Sequence, residues 1–147
     1  MYIRSMIQTD VTQVALLESL ITPSPWSSAM FYEEIELGSY CRILEGVSGR
    51  ILGYSVARLQ VDEWHLLTLG IALFYRRQGG AKRLLDDLIQ QVTIAGGKAI
   101  LLEVRASNLP ARTLYQDMGF HFLYTRRDYY RSECSTEDAI LLVRYFD

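Results

Sequence analysis

The chain has 147 residues, half of them hydrophobic, with 15 Lys and Arg against 17 Asp and Glu and a formal net charge of −2. That length suits one core and is short for two, and the apolar content excludes a disordered chain. The longest apolar runs, near 100–102 and 139–143, fall far short of the roughly 20 residues that cross a bilayer, and no basic stripe suggests bulk nucleic-acid binding.

Taken in chain order, a strand is predicted over 2–7, then a helix capped by Thr9 or Asp10 and carrying Val14, Leu17, Leu20 and Ile21 on one face. Thr22-Pro23-Ser24-Pro25 stops it, and Ser27 or Ser28 caps a short second helix that ends before Gly38. Three extended segments follow, at 40–46, 51–61 and 64–72, forming an antiparallel meander. Between Gly79 and Ala95, Ala81, Leu84, Leu85, Leu88, Ile89 and Val92 recur at three and four, the mark of a helix with one buried face. The run 99–104 reads as a central strand covered on both sides, and Asn108 caps a helix closed by Gly119. Strands at 120–130 and 138–146 end the chain. The expectation is an α/β (α+β) fold in a single domain, 1–147, with a mixed, mostly antiparallel sheet and helices on both faces.

No long apolar stretch follows Met1, so a secretory signal is not expected and a cytoplasmic location is. Cys41 and Cys134 lack redox or metal spacing and fit a reducing compartment, and His65 and His121 have no partners at ligand spacing. Metal chemistry and a nucleophilic cysteine are therefore not expected.

Two segments carry chemistry. Arg76, Arg77, Lys82 and Arg83 place four positive charges in eight residues without an acid, where a strand enters a glycine loop that opens a helix. Unpartnered N–H groups and the helix dipole favour an anion there, and glycines let a pyrophosphate approach the backbone. The second segment is Leu101-Leu102-Glu103-Val104-Arg105-Ala106-Ser107-Asn108. Glu103 interrupts an apolar strand, which would set a carboxylate toward the middle of the domain, where it needs a partner or a chemical task. Tyr115 lies one turn after Ala111 on the next helix.

Arg76-x-x-Gly79-x-Ala81 matches the [QR]-x-x-G-x-[GA] acetyl-CoA signature, and the chain resembles the GNAT family of N-acetyltransferases. Glu103-Val104-Arg105-Ala106-Ser107-Asn108, Leu114-Tyr115-x-x-Met118-Gly119-Phe120, Arg126-Arg127-x-Tyr129-Tyr130, Glu137-Asp138-Ala139 and Pro25-Trp26-Ser27 are similar to the branch that acetylates the N-terminal alanine of a ribosomal protein. One departure is Ile71-Ala72-Leu73-Phe74-Tyr75, where relatives commonly carry V-x-P-x-Y; losing that proline leaves Leu73 and Phe74 exposed.

The resemblance implies a GNAT fold in which the fourth and fifth strands splay apart. The pantetheine arm of acetyl-CoA, the co-substrate, would lie along Leu69, Gly70 and Ile71, with its pyrophosphate on Arg76, Arg77, Gln78, Gly79, Gly80, Ala81 and Lys82. Asn108 would bind the arm. Glu103 would serve as general base, its pKa raised by burial, and Tyr115 would protonate the departing thiolate, with a backbone N–H near Ile71 stabilising the oxyanion. Trp26, Tyr32, Arg126, Arg127, Tyr129 and Tyr130 would grip a peptide N-terminus, that of a small-subunit ribosomal protein. Neither nucleic acid nor membrane is implied as a partner. A small amine or lysine acceptor, or a non-catalytic acyl-CoA sensor, are the alternatives.

Overall fold

In the computed structural model, which describes residues 1–131 and 134–147, the strands are β1 (Tyr2–Ser5), β2 (Tyr40–Glu45), β3 (Ile51–Gln60), β4 (Glu63–Ile71), β5 (Ala99–Arg105), β6 (His121–Arg131) and β7 (Thr136–Tyr145). The helices are α1 (Val11–Ile21), α2 (Ser28–Glu36), α3 (Gly80–Ile94) and α4 (Leu109–Asp117). The predicted order holds. β1 stops short of its expected end, and Asp10 does not cap α1 with its side chain. Its carboxylate instead accepts the Ile7 N–H at 2.8 Å and pairs with Arg4 at 2.8 Å. Ser27 and Asn108 do cap, accepting from Met30 N at 3.3 Å and Ala111 N at 3.3 Å.

The strands form one sheet in the order β1-β2-β3-β4-β5-β7-β6, antiparallel at each pairing except β4 with β5. One face packs Leu85, Leu88 and Val92 of α3 and Tyr115 of α4 against Ile100, Leu102 and Val104. The other packs Val11 and Val14 of α1 and Phe31 of α2 against Tyr54 and Val56. β5 departs from its expected burial on both faces. Ile100, Leu102 and Val104 are buried, whereas Leu101, Glu103 and Arg105 are partly exposed, because α1 and α2 lie over the first half of the sheet and leave this side of β5 open. Among the described residues, no helix is long and apolar enough to cross a membrane.

The expected splay is present and has a local cause. β4 and β5 pair from Glu63↔Ala99 to Leu66↔Leu102, then diverge, although β4 continues to Ile71 and β5 to Arg105. At the point of divergence Val56 faces Thr68 while Ala57 faces Leu66, so Leu67 is an extra residue in β4. Such a bulge bends and twists its strand. Beyond it β4 stays with β3 to Ile71, while β5 stays with β7 to Arg105↔Ala139. The inner edges of the wedge keep unpaired backbone groups that can bind an extended ligand.

Candidate active site

At the end of β4, Leu73 to Tyr75 form a single tight turn, and Leu73 and Phe74 are exposed as the missing proline implies. Arg77 and Gly79 both take left-handed backbone, with φ of 63° and 82°. The glycine accepts this at no steric cost, and the arginine is held there against its preference. Gly79 then precedes α3, whose first N–H groups, on Gly80, Ala81 and Lys82, have no partner inside the helix. Gly80 is buried, and a Cβ there would stand 2.9 Å from Leu44 Cδ2, so glycine also seats the helix on the sheet. Arg76, Arg77, Gln78, Lys82 and Arg83 are exposed around these groups. The result is an anion cradle at one end of the wedge.

Gly70 lines the wedge on β4. A Cβ there would fall 2.4 Å from Tyr54 Oη and 2.5 Å from Ile21 Cδ1, so no larger residue fits unless these two side chains shift.

Across the wedge, Glu103 leaves β5 with its side chain 30% exposed, nearer the surface than its apolar neighbours predict. Its partner is Arg126 of β6, whose Nη1 donates to Oε1 at 3.2 Å. The Tyr129 phenol lies close to Glu103, and burial followed by this charge pushes it above the usual range. Tyr130 stands beside it, ring centroids 5.1 Å apart, and burial first and Glu103 second push its pKa up to about 12. Arg126 lies over the Tyr129 ring at 4.2 Å and Arg105 over the Tyr130 ring at 4.1 Å. Tyr115 of α4 is buried against Phe120, and burial, with Tyr130 as the second cause, raises its pKa to about 12. Tyr130 is thus in electrostatic reach of both Glu103 and Tyr115.

The rim continues onto the segment between α1 and α2. Arg105 Nη2 donates to Ser24 Oγ at 2.9 Å and its Nη1 to Glu137 Oε2 at 3.3 Å. Trp26 packs against Phe31 with ring centroids 5.1 Å apart, and its backbone N–H donates to Glu18 Oε2 at 3.0 Å. Among the described residues, the contacts gathered around Glu103 include neither Tyr32 nor Arg127, whose side chains are exposed. Asn108 lies at the start of α4 with its Oδ1 occupied as the cap.

Glu18 escapes a reading of composition and motif. It is 4% exposed on α1 and accepts from Tyr54 Oη at 2.7 Å, Thr68 Oγ1 at 3.1 Å and Trp26 N, joining the α1–α2 segment to β4 beside the bulge. The available signal is its spacing: Glu18 shares the buried stripe of Val11 and Val14.

A cavity of about 900 Å³ lies elsewhere, beside Gln13, Leu16 and Leu17 of α1 and the β2–β3 turn. It meets the cradle at Tyr75 and Gln78 and does not reach Glu103. No cluster of three or more His, Cys, Asp or Glu among the described residues could hold a metal ion.

A mixed sheet opened by a bulge between parallel β4 and β5, with a glycine-started helix at one end of the opening, defines the GNAT class of acetyltransferases. The model of the acetyltransferase (GNAT) family matches residues 11–120, and the chain belongs to that family. It is 31% identical over 140 residues to the [ribosomal protein bS18]-alanine N-acetyltransferase of Escherichia coli K12, covering 95% of this chain and 94% of that one. A protein of the same description from Haemophilus ducreyi is 28% identical over 144 residues, 97% of this chain and 99% of its own. The crystal structure of the ribosomal-protein-S18-alanine N-acetyltransferase from Escherichia coli superposes with a TM-score of 0.91 at 29% identity, over 98% of this chain and 92% of that one. The protein is an N-acetyltransferase of this type, and GNAT acetyltransferases use acetyl-CoA as donor.

Proposed function

We propose that residues 1–147 form one cytoplasmic acetyltransferase domain that transfers the acetyl group of acetyl-CoA to the N-terminal α-amino group of a protein, the N-terminal alanine of a small-subunit ribosomal protein. The observation that carries this reading is the position of Glu103 on β5 one residue past the last β4–β5 pair, where the strands part, beside Tyr129, Tyr130 and Arg126. The relatives named for ribosomal-protein alanine supply the acceptor class.

The backbone of Leu69, Gly70 and Ile71 and the side chain of Asn108 would hold the pantetheine arm, and residues 76–82 the pyrophosphate. The exposed N–H groups at the start of α3 and the cations beside them fit that group. An α-ammonium group has a pKa of about 8, so modest help from a base frees the nucleophile at pH 7. Glu103 takes that proton, directly or through one water, and the nitrogen attacks the thioester carbonyl carbon. An N–H near Ile71 stabilises the oxygen, the C–S bond breaks, and the second proton on the nitrogen passes to the departing thiolate, directly or through a water, which leaves the amide and the free thiol. A phenol near 12 is a weaker acid than a thiol of about 8.5, so complete transfer to a thiolate is uphill by roughly 5 kcal/mol. Tyr115 therefore serves as a neutral hydrogen-bond donor to the departing sulfur. Tyr129, Tyr130, Arg127, Trp26 and Tyr32 would line the acceptor path.

The deciding experiment is a peptide panel with thiol release as readout. Peptides beginning with alanine should be acetylated far faster than N-blocked lysine peptides or polyamines. Equal rates would reject the acceptor assignment, and tight acetyl-CoA binding without turnover of any acceptor would reject catalysis.

A further inference from the structure

Glu137 and Asp138 have no part in the chemistry just described, yet they join its parts. Glu137 Oε1 accepts the Ser107 N–H at 2.7 Å, and Oε2 accepts from Arg105. Asp138 accepts the Asp128 N–H on Oδ1 at 2.9 Å, while its backbone carbonyl accepts the Ala106 N–H at 3.1 Å.

The contact at Asp128 matters because of the register. Arg126 faces Ala139 and Tyr130 faces Glu137, so three residues of β6 stand against Asp138 alone. In a regular strand consecutive side chains point to opposite faces, and Tyr129 and Tyr130 would be parted by the sheet. The bulge removes that alternation and lets both rings gather at Glu103. Its centre is Asp128, held at a φ of 51°, a conformation costing about 1 kcal/mol or more for a residue with a side chain. Something must hold it there. Asp138 secures its N–H, and the Thr136 hydroxyl donates to Asp128 Oδ1 at 2.8 Å.

We infer that Asp138 is a positioning residue for the acceptor side of the site: by clamping the Asp128 N–H it holds the bulge that sets Tyr129 and Tyr130 together against Glu103. This rests on the reading of the two tyrosines as acceptor-binding residues. Asp138 touches neither substrate nor reacting atoms in this role. Its carboxylate works as an acceptor of defined position, so an asparagine, which keeps Oδ1, can replace it and an alanine cannot.

The test compares Asp138→Ala, Asp138→Asn, Tyr129→Ala and Tyr130→Ala by steady-state kinetics with an alanine-starting peptide and acetyl-CoA, alongside hydrogen exchange at the Asp128 amide. Asp138→Ala should raise the peptide KM by about 10- to 100-fold, leave the acetyl-CoA KM unchanged and release the Asp128 amide to exchange, with Asp138→Asn restoring both. Both tyrosine variants should raise the peptide KM as well. The inference falls if Asp138→Ala leaves the peptide KM unchanged, if both KM values rise together, or if asparagine does no better than alanine. If the tyrosine variants raise the peptide KM while Asp138→Ala does not, the acceptor reading stands and the positioning role is wrong. If neither tyrosine variant moves it, the acceptor reading is wrong and the inference goes with it.

Discussion

Arg126 donates to Glu103 across 3.2 Å, and the pair is partly open to solvent, 45% exposed on the arginine and 30% on the carboxylate. A pair that exposed contributes at most about 1 kcal/mol to stability. Its consequence is chemical. On the proposed reading Glu103 meets its substrate already holding a cation, and an arriving ammonium group must share or replace it. Glu103→Gln should therefore lower kcat by about 10²- to 10⁴-fold, the usual range for a general base, while leaving thermal stability nearly unchanged. Thiol release with an alanine peptide and a melting curve on the same sample check this. An unchanged kcat would remove Glu103 from the role of base.

Tyr115 should show a different separation. Its phenol lies well above the free value of about 10, so the folded state retains the proton longer than the unfolded chain does. The resulting stabilisation is complete below pH 10 and is lost as the pH rises through 12, a change on the order of 2 to 3 kcal/mol. Tyr40 and Tyr130, also near 12, titrate in the same window, so Tyr115→Phe should flatten the alkaline loss only in part. Denaturant melts at pH 9 and pH 11.5 measure the difference. Tyr115→Phe should cost about tenfold in kcat, because it removes one hydrogen bond to the sulfur. Tyr115→Ala should cost more, since the ring also packs against Phe120.

Much of this arrangement was open to local reading. The periodicity of Leu84, Leu85, Leu88 and Val92, the Ser27 and Asn108 caps, and the glycine loop before α3 are properties of short segments, and the structure has them where local rules put them. The rest depends on pairing between distant strands. The Leu67 bulge and the three-residue bulge around Asp128 are defined by register, and no local pattern announces either. Glu103 was expected toward the middle of the domain because its strand is apolar, whereas exposure on β5 depends on how far α1 and α2 extend across the sheet. Its arginine lies 23 positions away, on a strand that is not adjacent to β5 in the sheet.

The two constrained glycines should respond to alanine for different reasons than the exposed one. At Gly70 the added carbon meets Tyr54 and Ile21, and at Gly80 it meets Leu44 and Ile71, so each substitution overpacks an interior and should cost about 1 to 3 kcal/mol. For a chain of this length that is a fall of roughly 3 to 10 °C in Tm. Gly79 has open space around it, and alanine there pays for its left-handed φ alone, about 1 kcal/mol. Differential scanning calorimetry should rank Gly79→Ala as the mildest, and a larger loss there than at Gly70 would contradict the packing described.

Arg76, Arg77, Lys82 and Arg83 stand exposed around the first turn of α3, and their effect on a phosphate-bearing donor should be electrostatic and selective. Arg76→Gln and Lys82→Gln should each raise the acetyl-CoA KM several-fold to about tenfold, the loss of a charge-assisted contact of about 1 kcal/mol or more. The peptide KM should stay where it is, because these residues flank the start of α3, whereas the proposed acceptor path lies beside Glu103 on β5. Raising ionic strength should weaken acetyl-CoA binding in the wild type more than in the double variant, since screening can remove only charges that are present. Binding titrations with acetyl-CoA at 50 and 300 mM salt supply the measurement. Equal salt dependence in the two proteins would show that the pyrophosphate is held by the backbone of residues 76–82 without these side chains.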